Sequence, residues 1–232
     1  MGKDVIIACD FDSAEKTLAF LDLFGEEKPF VKIGMELFYS AGPGFVRQVK
    51  QRGHKVFLDL KLHDIPNTVR KTMSVLSGLG VDMTNVHAAG TGAMMRAAAE
   101  GLTRPDGSRP ILIAVTQLTS TDEETLHSEL LIDRPMPETV MSYAMNARRS
   151  GLDGVVCSPL EAEGVHGACG NDFITVTPGI RFADSEVADQ KRVMTPDAAK
   201  KAGSDYIVVG RPITSAVDPV SAYRRCVAEF VD

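Results

Sequence analysis

Phe57-Leu58-Asp59-Leu60-Lys61-Leu62-His63-Asp64-Ile65-Pro66-Asn67-Thr68-Val69 reads as a β-strand that turns into a helix. Side chains alternate across a strand, so Asp59 and Lys61 share one face and Leu58, Leu60 and Leu62 the other. Asp64 follows just past the strand end. Ile65-Pro66 mark the turn, because the residue before proline avoids the α region and proline suits the first helical turn. Two opposite charges facing a core, with a third close behind, are costly unless each is compensated. Removing one partner of such a buried array costs about 3–5 kcal/mol. A functional charge array explains this pattern better than a structural ion pair at a strand end.

Outward from this stretch, short β-rich runs alternate with amphipathic helical stretches. The runs are 5–9, 30–33, 56–60, 83–87, 111–116, 154–158, 173–177 and 206–210. Helical patterns lie between them, as at 13–24, 44–52, 68–79, 93–101, 138–150 and 196–202. Gly53, Gly80, Gly101, Gly151 and Gly203 stand where a left-handed helix C-cap favours glycine. About eight βα units without a break in composition predict one α/β domain over 1–232, a closed (β/α)8 TIM barrel. A doubly wound open sheet would carry a Gly-rich phosphate loop after an early strand, and no GxGxxG follows the first run.

Polar residues gather at the ends of the runs. Asp10, Lys32, Asp59 with Lys61, His87, Thr116 with Thr119, Arg181 and Gly210-Arg211 each close or follow one. In a βα barrel these positions ring the C-terminal mouth, where active sites form. The loops after the seventh and eighth runs carry Pro178-Gly179-Ile180-Arg181 and Val209-Gly210-Arg211-Pro212-Ile213-Thr214. That is where barrels place phosphate. Gly210 would let backbone N–H groups approach an anion, and Arg211 can offer a charged fork. The polar segment 181–192 has the length and position of a lid, and its composition fits a disordered surface loop equally well.

The 232 residues suffice for a large core, and the net charge of -6 argues against general nucleic-acid binding. An anionic substrate would need a local cluster of Lys and Arg. Cys9, Cys157, Cys169 and Cys226 are scattered without a CxxC pair and read as reduced thiols. The first apolar run is too short to span a membrane, and no signal-peptide cleavage pattern follows it. The expected compartment is the cytoplasm, with no membrane partner.

With these residues placed, the whole chain resembles the orotidine 5'-monophosphate decarboxylase family, bacterial type. The opening stretch carries the likeness, together with Ala8-Cys9-Asp10-Phe11, Phe30-Val31-Lys32-Ile33-Gly34, Asn85-Val86-His87-Ala88-Ala89-Gly90, Val115-Thr116-Gln117-Leu118-Thr119-Ser120, Thr177-Pro178-Gly179-Ile180-Arg181 and Val208-Val209-Gly210-Arg211-Pro212-Ile213. Cys9 stands where a larger aliphatic residue is expected.

The resemblance implies a Lys32–Asp59–Lys61–Asp64 charge array, with Asp64 supplied by the partner subunit of a homodimer. It implies that Lys61 protonates C6 of the pyrimidine and that Asp59 sits near the departing carboxylate. Asp10 and Lys32 would bind ribose hydroxyls, helped by Thr68 of the partner subunit, and Thr119 would contact the base. Arg181, Gln190, Gly210 and Arg211 would hold the phosphate, with Gln190 arriving as the loop closes. The family uses no metal and no organic cofactor. Two rival readings stay open. One is a Mg²⁺-dependent sugar-phosphate decarboxylase or aldolase on the same barrel, which shares an Asp-x-Lys-x-x-Asp core. The other is a non-catalytic phosphate-ligand sensor, which would not need a buried charge array.

Overall fold

The structure is a computed structural model that describes residues 3–183 and 193–232. Eight strands close into a barrel in chain order, each parallel to its neighbours. They are β1 (Asp4–Ala8), β2 (Phe30–Gly34), β3 (Val56–Leu62), β4 (Met83–His87), β5 (Ile111–Val115), β6 (Gly154–Val156), β7 (Ile174–Thr177) and β8 (Tyr206–Val209). Helices lie between them: α1 (Ala14–Asp22), α2 (Met35–Gln51), α3 (Pro66–Ser77), α4 (Thr91–Leu102), α5 (Glu123–Ser128), α6 (Met136–Arg149), α7 (Ala162–Cys169), α8 (Pro196–Lys201), α9 (Arg211–Thr214) and α10 (Pro219–Phe230). The fold is the (β/α)8 barrel that the run pattern predicts.

Strand alternation divides the core into two layers. Ile6, Phe30, Phe57, Met83, Ile113, Ile174 and Val208 fill the barrel interior. Their alternates, such as Val5, Ile7, Ile33, Leu58 and Val155, pack outward against Met73, Met94, Val140 and Phe230 of the helices. Each fully buried aliphatic or aromatic side chain contributes about 1.5–3 kcal/mol, so the two layers supply the main driving force. The helices start where their sequences direct. Ser13, Asp122, Thr195 and Asp218 accept a backbone N–H at the first turns of α1, α5, α8 and α10.

The barrel is stapled at its N-terminal end by a repeated device. Asp82, Asp153 and Asp205 stand just before β4, β6 and β8. Oδ2 of each accepts a backbone N–H from the preceding strand: Val56 at 2.7 Å, Leu112 at 2.7 Å and Thr175 at 2.8 Å. Lys50 pairs with Asp82 at 2.5 Å, and Arg109 forks onto Asp153. These carboxylates satisfy strand-end donors, which would be costly to bury unpaired.

Some boundaries differ from the sequence reading. The helix expected at 44–52 is the second half of α2, which begins at Met35 and kinks at Gly42 (φ 73°) before Pro43. β3 runs on to Leu62, and β6 stops at Val156. Gly53, Gly80, Gly151 and Gly203 do take positive φ, but Gly101 lies inside α4. A Cβ on Gly101 would come within 2.0 Å of the Arg70 carbonyl oxygen. Glycine is needed there for the close approach of α3 and α4, not for a cap.

Candidate active site

The mouth of the barrel takes its shape from an irregularity in β3. Leu58 pairs with Thr84 and Leu62 with Val86, so Asp59, Leu60 and Lys61 stand opposite the single residue Asn85. Lys61 absorbs the excess with a left-handed backbone, φ 50°. Such bulges re-aim side chains next to functional sites. Despite the bulge, Asp59 and Lys61 emerge on the same face, and their side chains meet at 2.8 Å.

Four charges form an alternating line. Lys32 Nζ donates to Asp10 Oδ1 at 2.9 Å and lies 3.4 Å from Asp59 Oδ2. Asp59 Oδ1 accepts from Lys61 Nζ at 2.8 Å and from Asn85 Nδ2 at 2.7 Å. The line runs inward from solvent: the Asp10 side chain is 60% exposed, while Lys32 and Asp59 are 11% and 10% exposed. Gly34 leaves it room, since a Cβ there would press to 3.2 Å on both Asp10 Oδ1 and Lys32 Nζ. Burial opposes the Lys32 charge, but the Asp59 and Asp10 carboxylates outweigh it and its pKa is raised. Burial likewise opposes the Asp59 charge. Lys32, Lys61 and the hydrogen bond from Asn85 outweigh that, and its pKa is lowered. Both groups are held ionised.

Two cavities flank the line and share Lys32, Pro178 and Val208. One, of about 290 Å³, is lined mainly by apolar groups, with Phe57, Val115, Val156 and Val176 beside Asp59, Lys61, Gln117 and Thr119. It suits a flat ring with a few polar atoms on its edge. The other, of about 480 Å³, is lined by Asp10, Gly179, Arg181, Gly210, Arg211 and Thr214. It suits an anion. Arg181 is buried there, and its Nη1 donates to the Ile180 carbonyl at 2.7 Å. Met194 pairs back onto this loop through bonds with Gly179 and Arg181.

The structure brings together Asp10, Lys32, Asp59 and Lys61 at one side of the mouth, with Thr119 in the first cavity and Arg181, Gly210 and Arg211 in the second. It does not bring Asp64 or Thr68 to the array within one chain. Both are exposed, and Asp64 Oδ1 accepts the Ile65 N–H at 2.6 Å. The third charge behind the strand is therefore not buried within the chain, because the chain turns outward into α3 after Leu62. Gly210 has an ordinary negative φ of -101°, and a Cβ there would make a normal 3.6 Å contact with Ala8. Space at that point does not by itself demand glycine. Gln190 and most of the expected lid, 184–192, lie outside the described residues.

Sequence reasoning missed two polar groups of the site, Asn85 and Gln117. Asn85 had a signal, since it alternates with Met83 and His87 on the inward face of β4. Burial, with the nearby His63 and Lys61, lowers the His87 pKa, which favours its neutral form. Among the described residues no group of three His, Cys, Asp or Glu side chains is placed to hold a metal ion. Asp10 and Asp59 are each already neutralised by an ammonium.

The sequence model of the orotidine 5'-phosphate decarboxylase / HUMPS family matches residues 3–226. The orotidine 5'-phosphate decarboxylase of Streptococcus mutans is 58% identical over 226 residues, 97% of this chain and 96% of that protein. The one from Geobacillus sp. is 54% identical over 233 residues, 99% of this chain and 98% of that protein. The crystal structure of orotidine 5'-phosphate decarboxylase from Lactobacillus acidophilus superposes with a TM-score of 0.89 at 46% identity, covering 99% of this chain and all of that one.

Proposed function

Because this chain belongs to the orotidine 5'-phosphate decarboxylase / HUMPS family, we propose that it is a carboxy-lyase of pyrimidine synthesis that converts orotidine 5'-monophosphate to UMP and CO₂. The observation that carries the reading is the alternating Asp10–Lys32–Asp59–Lys61 line at the junction of a ring-shaped cavity and an anion-lined one.

The bond from C6 to the carboxyl carbon breaks, and its electron pair stays on C6. No neighbouring group can take up that charge, so a fixed ammonium is the natural stabiliser. Lys61 Nζ then delivers a proton to C6 and is left neutral, to be reprotonated from solvent. Asp59 beside the departing carboxylate disfavours the bound substrate, and that repulsion ends as CO₂ leaves. Thr119 stands where it can contact the base. Lys32, shared by the two cavities, and Asp10, its ion-pair partner in the second, suit a ribose between them. Arg181, Gly210 and Arg211, with Gln190, hold the phosphate. Binding energy from that remote group assembles the site around the reacting carbon.

The proposed enzyme needs no cofactor, which fits carboxylates already paired with ammonium groups. It acts as a homodimer in which Asp64 and Thr68 of one subunit complete the other's site. Their exposure on the isolated chain supports this, since a surface pair beside the mouth can reach a neighbour. A cytoplasmic location, without membrane or nucleic-acid partners, fits four buried cysteines that form no disulfide and the net charge of -6. No helix among the described residues is long and apolar enough to cross a membrane.

The deciding experiment follows orotidine 5'-monophosphate turnover and CO₂ release with and without EDTA. Turnover that survives EDTA is the expected result. Loss in EDTA with recovery on added Mg²⁺ would favour the metal-dependent sugar-phosphate branch, and binding without turnover would favour the sensor.

A further inference from the structure

We propose that Asn85 is the positioning residue that aims Lys61. The inference rests on the decarboxylase reading, since it gives a backbone-fixing role to a residue beside the proposed proton donor. Asn85 is fully buried and bridges two elements of the site with one amide. Its Oδ1 accepts the Lys61 backbone N–H at 2.8 Å, and its Nδ2 donates to Asp59 Oδ1 at 2.7 Å. Both contacts fall where the β3–β4 pairing skips, with three residues of β3 standing opposite Asn85 alone.

The physical need is specific. A bulge leaves backbone donors without strand partners, and a buried orphan N–H is costly. Lys61 in addition holds φ 50°, a conformation that a non-glycine residue keeps only when its surroundings enforce it. The Asn85 carbonyl oxygen supplies the missing acceptor at that residue. The other end of the same amide fixes the carboxylate that the Lys61 ammonium contacts. One side chain therefore sets both the root of Lys61 and the partner of its tip. Serine or alanine would be too short to span both, and leucine would fill the space without either bond.

A residue that only supports the fold would change stability and leave the folded enzyme's kcat intact. A residue that aims the proton donor should lower kcat while nucleotide binding, which uses other groups, persists. Asn85→Ala should lower kcat by about ten- to a hundredfold, the size of a lost hydrogen bond to a charged group, with UMP affinity changed by less than about threefold. Asn85→Asp is nearly isosteric and keeps an acceptor for the Lys61 N–H. It loses the donor to Asp59 and sets a second carboxylate beside it, so its kcat should also fall. If Asn85→Ala does not fold, Asn85→Asp carries the kinetic test.

A crystal structure of the variants gives a readout independent of turnover. In Asn85→Ala, Lys61 should leave the left-handed region or draw its ammonium away from Asp59, whereas Asn85→Asp should keep the Lys61 backbone as in the parent. A folded variant with parental kcat overturns the proposal, as do equal losses of kcat and UMP affinity or an unmoved Lys61 in Asn85→Ala. If the parent itself fails to turn over orotidine 5'-monophosphate, the reaction assigned above is wrong. The position of Lys61 in the variant crystals would still decide whether Asn85 sets it.

Discussion

The Lys32 ammonium stands 3.4 Å from Asp59 Oδ2, and each helps to hold the other ionised, beside Asp10 on one side and Lys61 with Asn85 on the other. The sign of the linkage follows at both ends of the pH scale. The Asp59 pKa is lowered on folding, so its contribution is present above the unfolded value near 3.9 and is lost as pH falls through the folded one. The Lys32 pKa is raised, so its contribution is full below the unfolded value near 10.4 and is lost as pH rises through the folded one. Asp59→Asn should therefore destabilise the protein most at neutral pH, by about 3 kcal/mol, the low end for a broken buried pair because Lys32 keeps Asp10. Denaturant midpoints of parent and variant should converge toward both extremes of pH. A constant gap across the range would refute the coupling.

Lys61→Ala and Asp64→Ala should each lose nearly all turnover while still binding UMP. Asp64 lies on the surface of its own subunit, so the proposed dimer makes a further demand. Mixed dimers of the two inactive variants should regain one intact site in two. Recovered activity after subunit exchange is the measurement, and silence from hybrids shown to form would rule out a shared site.

Arg211→Ala should reduce kcat/KM for the whole substrate by roughly ten- to a hundredfold, the value of one charge-assisted hydrogen bond. Arg211 lines the anion cavity and lies away from the Asp59–Lys61 contact. A substrate lacking the phosphate should thus be affected far less by the change. Free phosphite should raise the parent's activity on that truncated substrate. Equal losses on both substrates would assign Arg211 to the shape of the mouth instead.

Asp153→Ala should lower stability and spare catalysis. It removes the acceptor for the Leu112 N–H and the partner of Arg109 at the end of the barrel opposite the site. The expected cost is about 2 kcal/mol, for an unsatisfied donor plus a broken fork. Thermal unfolding should register the loss, and kcat and KM of the folded enzyme should stay at parental values. A fall in kcat would mean that the two ends of the barrel are coupled.

The sequence by itself determined what depends on local period and chemistry. Alternation along 57–62 put Asp59 and Lys61 on one face, and the repeat of βα units implied a closed barrel with polar residues at its mouth. Motif likeness named the residues that the mouth would gather. What remained was decided by contacts between strands distant in sequence. Asp10 meets Lys32 across 22 residues because the strand register sets Lys32 level with Ala8, just before Asp10, and Asn85 meets Asp59 across 26 because the register sets their strands side by side. The left-handed turn at Lys61 has no local signature, since it follows from a mismatch in length between β3 and its neighbour. Gly101 resembles a cap in sequence and proves to be the contact point of two helices. Asp64 reads as part of a buried array and lies on the surface, because the direction in which the chain leaves β3 is set by how α3 packs on the closed barrel. Period governs which face a side chain takes, whereas register, closure and packing govern what it meets there.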